Sequence, residues 1–289
     1  MLDVCNPQIM RALLAEYGFR FSKAKGQNFL TQRWVPQRIV EASEIDETCG
    51  VLEVGPGFGP LTQELCLRAG SVVALEVDTT LQPILKATVG EFDNLEILFC
   101  DALKADLPAL VKEKFGDKKP LACANLPYYI TTPIITRLLE LRLPVNNMVF
   151  MVQKEVAERI AAKKSRDVGA ISLYCQYFAE PEIICTVPAG SFYPPPKVDS
   201  AVLRLKMLDE PRVKVEDEEL LFKVIRASFG QRRKTLANGL SGGLGLDKQT
   251  ITEIIKKCGF SETVRGETLS LEDFAKISDE ISIVKRGAK

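Results

Sequence analysis

The chain contains no histidine. That single absence removes the Ser-His-Asp triad, Cys-His nucleophiles, H-E-x-x-H zinc sites and imidazole proton shuttles. Its eight cysteines, Cys5, Cys49, Cys66, Cys100, Cys123, Cys175, Cys185 and Cys258, include no C-x-x-C pair. Several lie in apolar runs, so buried reduced thiols are expected rather than zinc ligands or disulfides. Net charge is lacking too: 38 basic residues balance 38 acidic ones. No global field draws the protein to nucleic acid, and any such binding must come from local clusters. No apolar run approaches the roughly 18 residues of a membrane span, and the N-terminus lacks the basic-then-apolar layout of a secretory signal. These absences lead us to expect a cytoplasmic protein with neither a membrane nor a metal among its partners.

What is present centres on Val51-Leu52-Glu53-Val54-Gly55-Pro56-Gly57-Phe58-Gly59-Pro60. An apolar run breaks into alternating glycines and then opens a helix-forming segment, which reads as strand, tight turn and helix start. Gly55 and Gly57 remove the Cβ atoms that would hold a ligand off the backbone, and Pro60 suits a first helical turn. Gly59 comes one residue too early for the dinucleotide fingerprint, and no G-K-[ST] follows as in a phosphate loop. The motif therefore admits a nucleoside cofactor or a plain structural turn.

At 289 residues about two domains are expected. An amphipathic helix within residues 1–20 ends at Gly18. Strand-like runs then cover 51–54, 72–75, 95–100, 121–124 and 148–152, with helical patterns between them such as 61–67 and 81–89. This alternation predicts a parallel sheet covered on both faces, whose ligands sit at the carboxyl ends of the strands. The polar residue ending each strand is thus a candidate contact. Glu76, about 20 residues past the glycine turn, is placed to accept both ribose hydroxyls of a nucleoside. Asp101 can accept from an adenine amino group or cap the following helix. Asn125 opens Asn125-Leu126-Pro127-Tyr128-Tyr129, where an amide oxygen and backbone carbonyls can accept both hydrogens of an exocyclic amine while a tyrosine face stacks on the base.

Two basic clusters supply the local charge. From Arg11 to Arg38 six basic residues, among them Lys23 and Lys25, meet one acid, Glu16; between Phe222 and Thr235 stand Lys223, Arg226, Arg232, Arg233 and Lys234 with no acid. Each is a solvated surface or a phosphate-contacting one. Ser191-Phe192-Tyr193-Pro194-Pro195-Pro196 reads as a stiff extended segment, with Phe192 either a core aromatic or a functional one. Residues 199–207 read as a closing strand. Leu208-Asp209-Glu210-Pro211 is a plausible hinge, followed by helical patterns at 218–229, 234–240, 248–258 and 271–283.

With these residues in view, the chain resembles, over nearly its whole length, the ribosomal RNA adenine dimethyltransferase family, and most of all its bacterial small-subunit (16S) members. The resemblance rests on Lys25-Gly26-Gln27-Asn28-Phe29-Leu30, on Glu53 through Gly59, on Asn125 through Tyr129, on Phe192-Tyr193-Pro194-Pro195-Pro196-Lys197-Val198-Asp199-Ser200-Ala201, and on Phe229-Gly230-Gln231-Arg232-Arg233-Lys234-Thr235. It implies an α/β fold: a Rossmann-like S-adenosylmethionine-dependent methyltransferase sheet in residues 1–208, and a smaller all-helical domain in 209–289 that contacts rRNA. It implies S-adenosylmethionine held by Asn28, Leu30, Gly55, Gly57, Glu76, Asp101 and Asn125. The target adenine would be flipped out and engaged by Asn125, Pro127, Tyr128 and Phe192, and RNA would be contacted by Lys23, Lys25, Arg232, Arg233 and Lys234. The implied substrate is a pair of adjacent adenosines near the 3′ end of small-subunit rRNA in an assembling subunit, and the implied state a monomer. A sulfonium is already a good leaving group, so alignment and polarisation suffice, in keeping with a chain that lacks histidine.

Two alternatives compete. One is the related large-subunit rRNA adenine methyltransferase of the antibiotic-resistance type, which shares the cofactor and Asn-x-Pro-aromatic motifs but is less similar in the helical tail. The other is a non-catalytic RNA-binding or ribosome assembly factor, disfavoured by intact Gly55 and Asn125.

Overall fold

The structure is a computed structural model that describes residues 2–22, 26–162, 168–230 and 234–287. Helix α1 (Pro7–Glu16) begins where Asn6 accepts from the Gln8 N–H, with Pro7 in its first turn. It stops just before Gly18, whose φ of +61° no side chain opposes. A two-residue strand β1 (Phe29–Leu30) leads into α2 (Trp34–Ser43). Strand and helix then alternate: β2 (Cys49–Val54), α3 (Pro60–Cys66), β3 (Ser71–Glu76), α4 (Gln82–Val89), β4 (Leu95–Phe99), α5 (Leu107–Phe115), β5 (Lys119–Asn125), α6 (Thr131–Glu140), β6 (Asn147–Gln153) and α7 (Lys154–Ala161). There follow α8 (Ala170–Phe178), β7 (Ala179–Val187), β8 (Phe192–Tyr193) and β9 (Ser200–Met207), and finally α9 (Glu218–Phe229), α10 (Leu236–Leu244), α11 (Lys248–Lys257) and α12 (Leu271–Gly287).

Seven strands form one sheet in the order β4-β3-β2-β5-β6-β9-β7. The pairs β3–β4, β2–β3, β2–β5 and β5–β6 are parallel, whereas β9 runs antiparallel to β6. The sheet is therefore mixed, and the wholly parallel sheet expected from the early strands holds only for its first five members. Strand β2 is buried throughout and, Glu53 apart, apolar or small, as a central strand covered by helices must be. Burial of side chains such as Val51 and Leu52 stabilises the fold by roughly 1.5–3 kcal/mol each.

The chain's order along the sheet reverses at β2: β3 and β4 lie on one side of it, β5 and β6 on the other. In open α/β sheets such a reversal opens a crevice beyond the carboxyl ends of the two strands that flank it. Here those ends are Val54, followed by the glycine turn, and Asn125.

The chain divides into two compact units, Met1–Ala157 with Pro181–Met207, and Glu158–Glu180 with Leu208–Lys289. This differs from a contiguous cut between residues 208 and 209, because α8 joins the C-terminal helices. The rings of Tyr174, Tyr177 and Phe178 lie 4.2, 5.1 and 5.8 Å from that of Phe222 on α9, and Tyr177 donates to Glu218 at 2.8 Å. The local pattern of α8 does not reveal this cluster. The later helices start on side-chain caps: Asp217 accepts from Leu220 N–H, Asp247 from Gln249 and Thr250 N–H, and Ser270 with Asp273 forms a reciprocal box.

All eight cysteines are unpaired, and five of them are buried. Burial pushes the Cys66 and Cys123 thiols up to about 12, so they stay protonated and inert. A stranger resident of the core is Glu53 in β2, which is 0% exposed. Among the described residues neither of its oxygens meets a hydrogen-bond donor in good geometry, and the nearby Thr62 hydroxyl only partly offsets the burial. Burial pushes its carboxyl up to about 8, with the charge of Glu76 adding to the rise.

The folded protein thus holds a proton on Glu53 that the unfolded chain releases at the ordinary value of 4.5. Because the native state binds more protons in that window, unfolding free energy falls as pH rises from about 4.5 toward about 8. We expect Glu53→Gln, neutral at every pH, to make that decline shallower in urea titrations between those limits. An identical slope in the two proteins would contradict the assignment.

Candidate nucleoside and adenine site

At the crevice between β2 and β5 the structure has a cleft of about 280 Å³, near the lower end of the roughly 300–1,000 Å³ typical of small-molecule sites. All its walls belong to the first unit. Asn28, Leu30, Gly55, Gly57, Glu76, Asp101, Asn125, Pro127, Tyr128 and Phe192, scattered over 165 positions of sequence from 28 to 192, all line it.

The floor is the glycine bend. Gly55, Gly57 and Gly59 have φ of +74°, +60° and +93°, a left-handed region where a side chain is strained. Their further reasons for being glycine differ. A Cβ on Gly59 would sit 2.8 Å from Val89 Cγ1, so that position serves helix packing. One on Gly57 would press on the Phe29 ring at 3.3 Å. One on Gly55 would meet nothing nearer than Pro127 Cδ at 4.0 Å, since the space beside it is the cleft itself.

Glu76 ends β3 and is 6% exposed. It accepts from the Gly57 N–H at 3.2 Å and the Asp78 N–H at 2.8 Å, which ties the carboxylate to the glycine bend. Burial raises its pKa, and these two backbone donors pull the other way. A carboxylate has about four lone-pair sites, so both oxygens retain capacity for hydroxyl donors. Asp101 follows β4 and does not cap a helix; it accepts from Leu103 N–H at 2.9 Å and closes a local turn, while Asp106 caps α5.

On the other side of the crevice, Asn125 ends β5 with its amide Nδ2 donating to the Asn28 carbonyl at 3.4 Å. Its Oδ1 makes no hydrogen bond among the described residues and remains available to accept. The chain then turns at Pro127, whose carbonyl accepts from Ile130 N–H and from Thr131 Oγ1 and so starts α6. The half-buried Tyr128 shares a 2.8 Å hydrogen bond between its hydroxyl and Ser200 Oγ, and burial raises its pKa. Phe192 is both a core and a cleft residue: it is 4% exposed, packs in the core with Leu30 and Val202, and lines the cleft.

Several supporting residues escape a sequence reading. Strands β1 and β8 pair antiparallel, with Phe29 opposite Tyr193 and Leu30 opposite Phe192. This joins two motifs that lie far apart in the chain, and no periodicity announces a two-residue strand. Gln27 accepts from Ser22 N–H at 3.0 Å and donates to Asp78 at 2.7 Å, clasping the N-terminal loop to the turn after β3. Of the expected RNA contacts, Lys23, Lys25, Arg232 and Arg233 lie outside the described residues, and Lys234 is exposed. Among the described residues no cluster of three or more His, Cys, Asp or Glu side chains is placed to hold a metal, and no helix is long and apolar enough to cross a membrane.

The residues present fit a nucleoside: a bare backbone bend, a tethered carboxylate on one strand end, and a second carboxylate one strand further along. An amine acceptor stands opposite with an aromatic beside it.

Comparisons with known proteins agree with this geometry. The family model for ribosomal RNA adenine dimethylase matches residues 18–282. The ribosomal RNA small subunit methyltransferase A of Lachnoclostridium phytofermentans is 49% identical, over 96% of this chain and 97% of that protein. Among solved structures, a dimethyladenosine transferase from Plasmodium falciparum superimposes with a TM-score of 0.72 at 25% identity, covering 90% of this chain and 98% of that one. The 23S rRNA methyltransferase ErmE superimposes with a TM-score of 0.65 at 25% identity, covering 88% and 100%. A glycine bend facing an Asn-Leu-Pro-Tyr turn across a sheet reversal, and a family match spanning nine-tenths of the sequence, lead to one conclusion: the chain belongs to the ribosomal RNA adenine dimethylase family.

Proposed function

We propose that this chain dimethylates the N6 amines of two adjacent adenosines near the 3′ end of small-subunit rRNA, with S-adenosylmethionine as methyl donor, during ribosome assembly. The observation that carries this reading is the placement of Asn125, whose Oδ1 makes no hydrogen bond among the described residues, across the crevice from the Gly55 bend. The small subunit is preferred over the large because close full-length relatives are named for it, whereas the 23S enzyme is a more distant structural neighbour. The protein would act as a monomer in the cytoplasm, where subunits are assembled.

S-adenosylmethionine, when bound, supplies an electrophilic methyl group on a sulfonium that leaves readily. The chain's own residues do the rest. Gly55 and Gly57 let the backbone approach the cofactor, Glu76 accepts the ribose hydroxyls, and Asp101 receives the adenine amino group. The Asn28 carbonyl holds the Asn125 amide by its nitrogen, which leaves the oxygen for the target amine. Accepting an N6 hydrogen would turn the nitrogen lone pair out of ring conjugation toward the cofactor side of the cleft, and the proton that the nitrogen gives up on methylation would pass to solvent. Tyr128, pinned by Ser200, stacks on the flipped adenine, Pro127 fixes the turn that presents it, and Leu30 braces Phe192 as the opposite wall. Extrusion is required because a stacked base cannot bring its amine into a cleft of this kind. Lys23, Lys25, Arg232, Arg233 and Lys234 contact RNA phosphates.

We expect Asn125→Ala to lower methyl transfer to under-methylated small subunits at least ~100-fold, the scale of losing one preorganised polar contact, while S-adenosylmethionine affinity measured by calorimetry changes far less. Unchanged turnover would remove Asn125 from the mechanism. For Glu76→Gln we expect cofactor affinity to fall about 10- to 100-fold, as for a lost charged hydrogen bond, because the amide nitrogen would face backbone donors. In the wild type, cofactor affinity should decline as pH falls through the raised Glu76 pKa, since protonation removes an acceptor. A pH profile shared by wild type and variant would contradict the role.

A further inference from the structure

The Asn125–Tyr129 turn contains an aromatic that the proposed reaction does not use. Tyr129 adjoins Tyr128, but the two side chains have opposite surroundings. Tyr128 is half-buried and its hydroxyl is tied to Ser200. Tyr129 is 55% exposed, and its hydroxyl makes no hydrogen bond among the described residues. Isolated apolar residues on a surface are ordinary; this one has a particular location. It lines the cleft together with Val77, which is 56% exposed, so two large apolar side chains stand open at the mouth of one pocket. The ring is also backed by the N-terminal loop. The loop approaches with its backbone only: a Cβ on Gly26 would come to 3.4 Å from Tyr129 Cδ1, and its absence leaves over half of the residue's surface bare.

An exposed aromatic at the mouth of a cleft contributes little to folding but is well suited to stacking. Lifting an adenine out of its strand leaves the neighbouring base without one of its stacking partners, and aromatic side chains are the usual replacement in single-stranded RNA recognition. The adjacent residue already faces the extruded adenine, so the next ring along the rim stands one residue away from it, as the next nucleotide does in the RNA. We propose that Tyr129 is the stacking platform for the nucleotide adjoining the target adenosine. This rests on the reading of the cleft as an RNA adenine site. It assigns to Tyr129 substrate positioning, separate from the polarisation by Asn125.

The test uses full-length wild type, Tyr129→Ala and Tyr129→Phe. Substrates are small subunits rebuilt with rRNA carrying either an intact base or an abasic nucleotide on each side of the target adenosine in turn. We expect Tyr129→Ala to raise KM for the intact subunits about tenfold, a typical loss for one base–aromatic stack, with S-adenosylmethionine affinity unchanged and Tyr129→Phe close to wild type. On one side of the target, an abasic neighbour should cost wild type about the same factor and cost Tyr129→Ala nothing further. Unchanged KM in Tyr129→Ala, or penalties from the protein and RNA changes that simply multiply, would overturn the proposal. A wild type that binds the cofactor but transfers no methyl group to intact subunits would overturn the proposed function and, with it, this inference.

Discussion

The structure depends on one steric constraint: at the point where the sheet changes direction, the backbone after β2 must be bare. Three alternating left-handed glycines meet it, each for a different reason. Gly59 admits Val89 and lets α3 start close to α4, Gly57 admits the Phe29 ring, and Gly55 leaves space that belongs to the cleft. A turn built for packing alone would need the first two. The third gives the sheet a place where a ligand can touch main chain.

Around that bend the polar groups are arranged by tethering rather than by free side-chain choice. Glu76 is held by two backbone N–H groups, Asn125 by the Asn28 carbonyl, Tyr128 by Ser200, and the N-terminal loop by Gln27 on Asp78. Each tether uses part of a group's hydrogen-bonding capacity and leaves the remainder facing the cleft. Preorganisation of this kind fits a reaction in which alignment does most of the work, because the groups need not reorganise when charge shifts. Beneath the bend, the neutral carboxyl of Glu53 shows how dry this part of the sheet is, and why an ionised Glu76 next to it needs its two backbone donors.

The parts of this site that are legible in the sequence are those with a local signature. An apolar run ending in a polar residue marks a strand end, so Glu76, Asp101 and Asn125 could be placed at one rim from pattern alone, and the caps of α11 and α12 follow from Asp247 and Ser270. Contacts that depend on non-local pairing were not legible. Nothing in Phe29-Leu30 announces a partner in Phe192-Tyr193, and nothing near Tyr128 points to Ser200. The edge strand β7, with Glu-Pro-Glu inside it and an irregular burial pattern, has no period to detect. The membership of α8 in the second unit rests on a ring cluster with Phe222 that forms only in the fold. Phe192 shows the limit most clearly: core residue and cleft residue were opposed alternatives in the sequence, and the structure makes it both.

The central claim is that one rim of the sheet brings a cofactor's methyl group and an adenine amine face to face. A crystal structure of the protein with S-adenosylhomocysteine and adenosine 5′-monophosphate tests it most directly. The account predicts ribose hydroxyls on Glu76, the thioether sulfur pointing toward the Asn125 turn, and the nucleotide N6 within ~3 Å of Asn125 Oδ1, the reach of a hydrogen bond. A cofactor seated away from the Gly55 bend, or an adenine bound with its amine turned from Asn125, would contradict it.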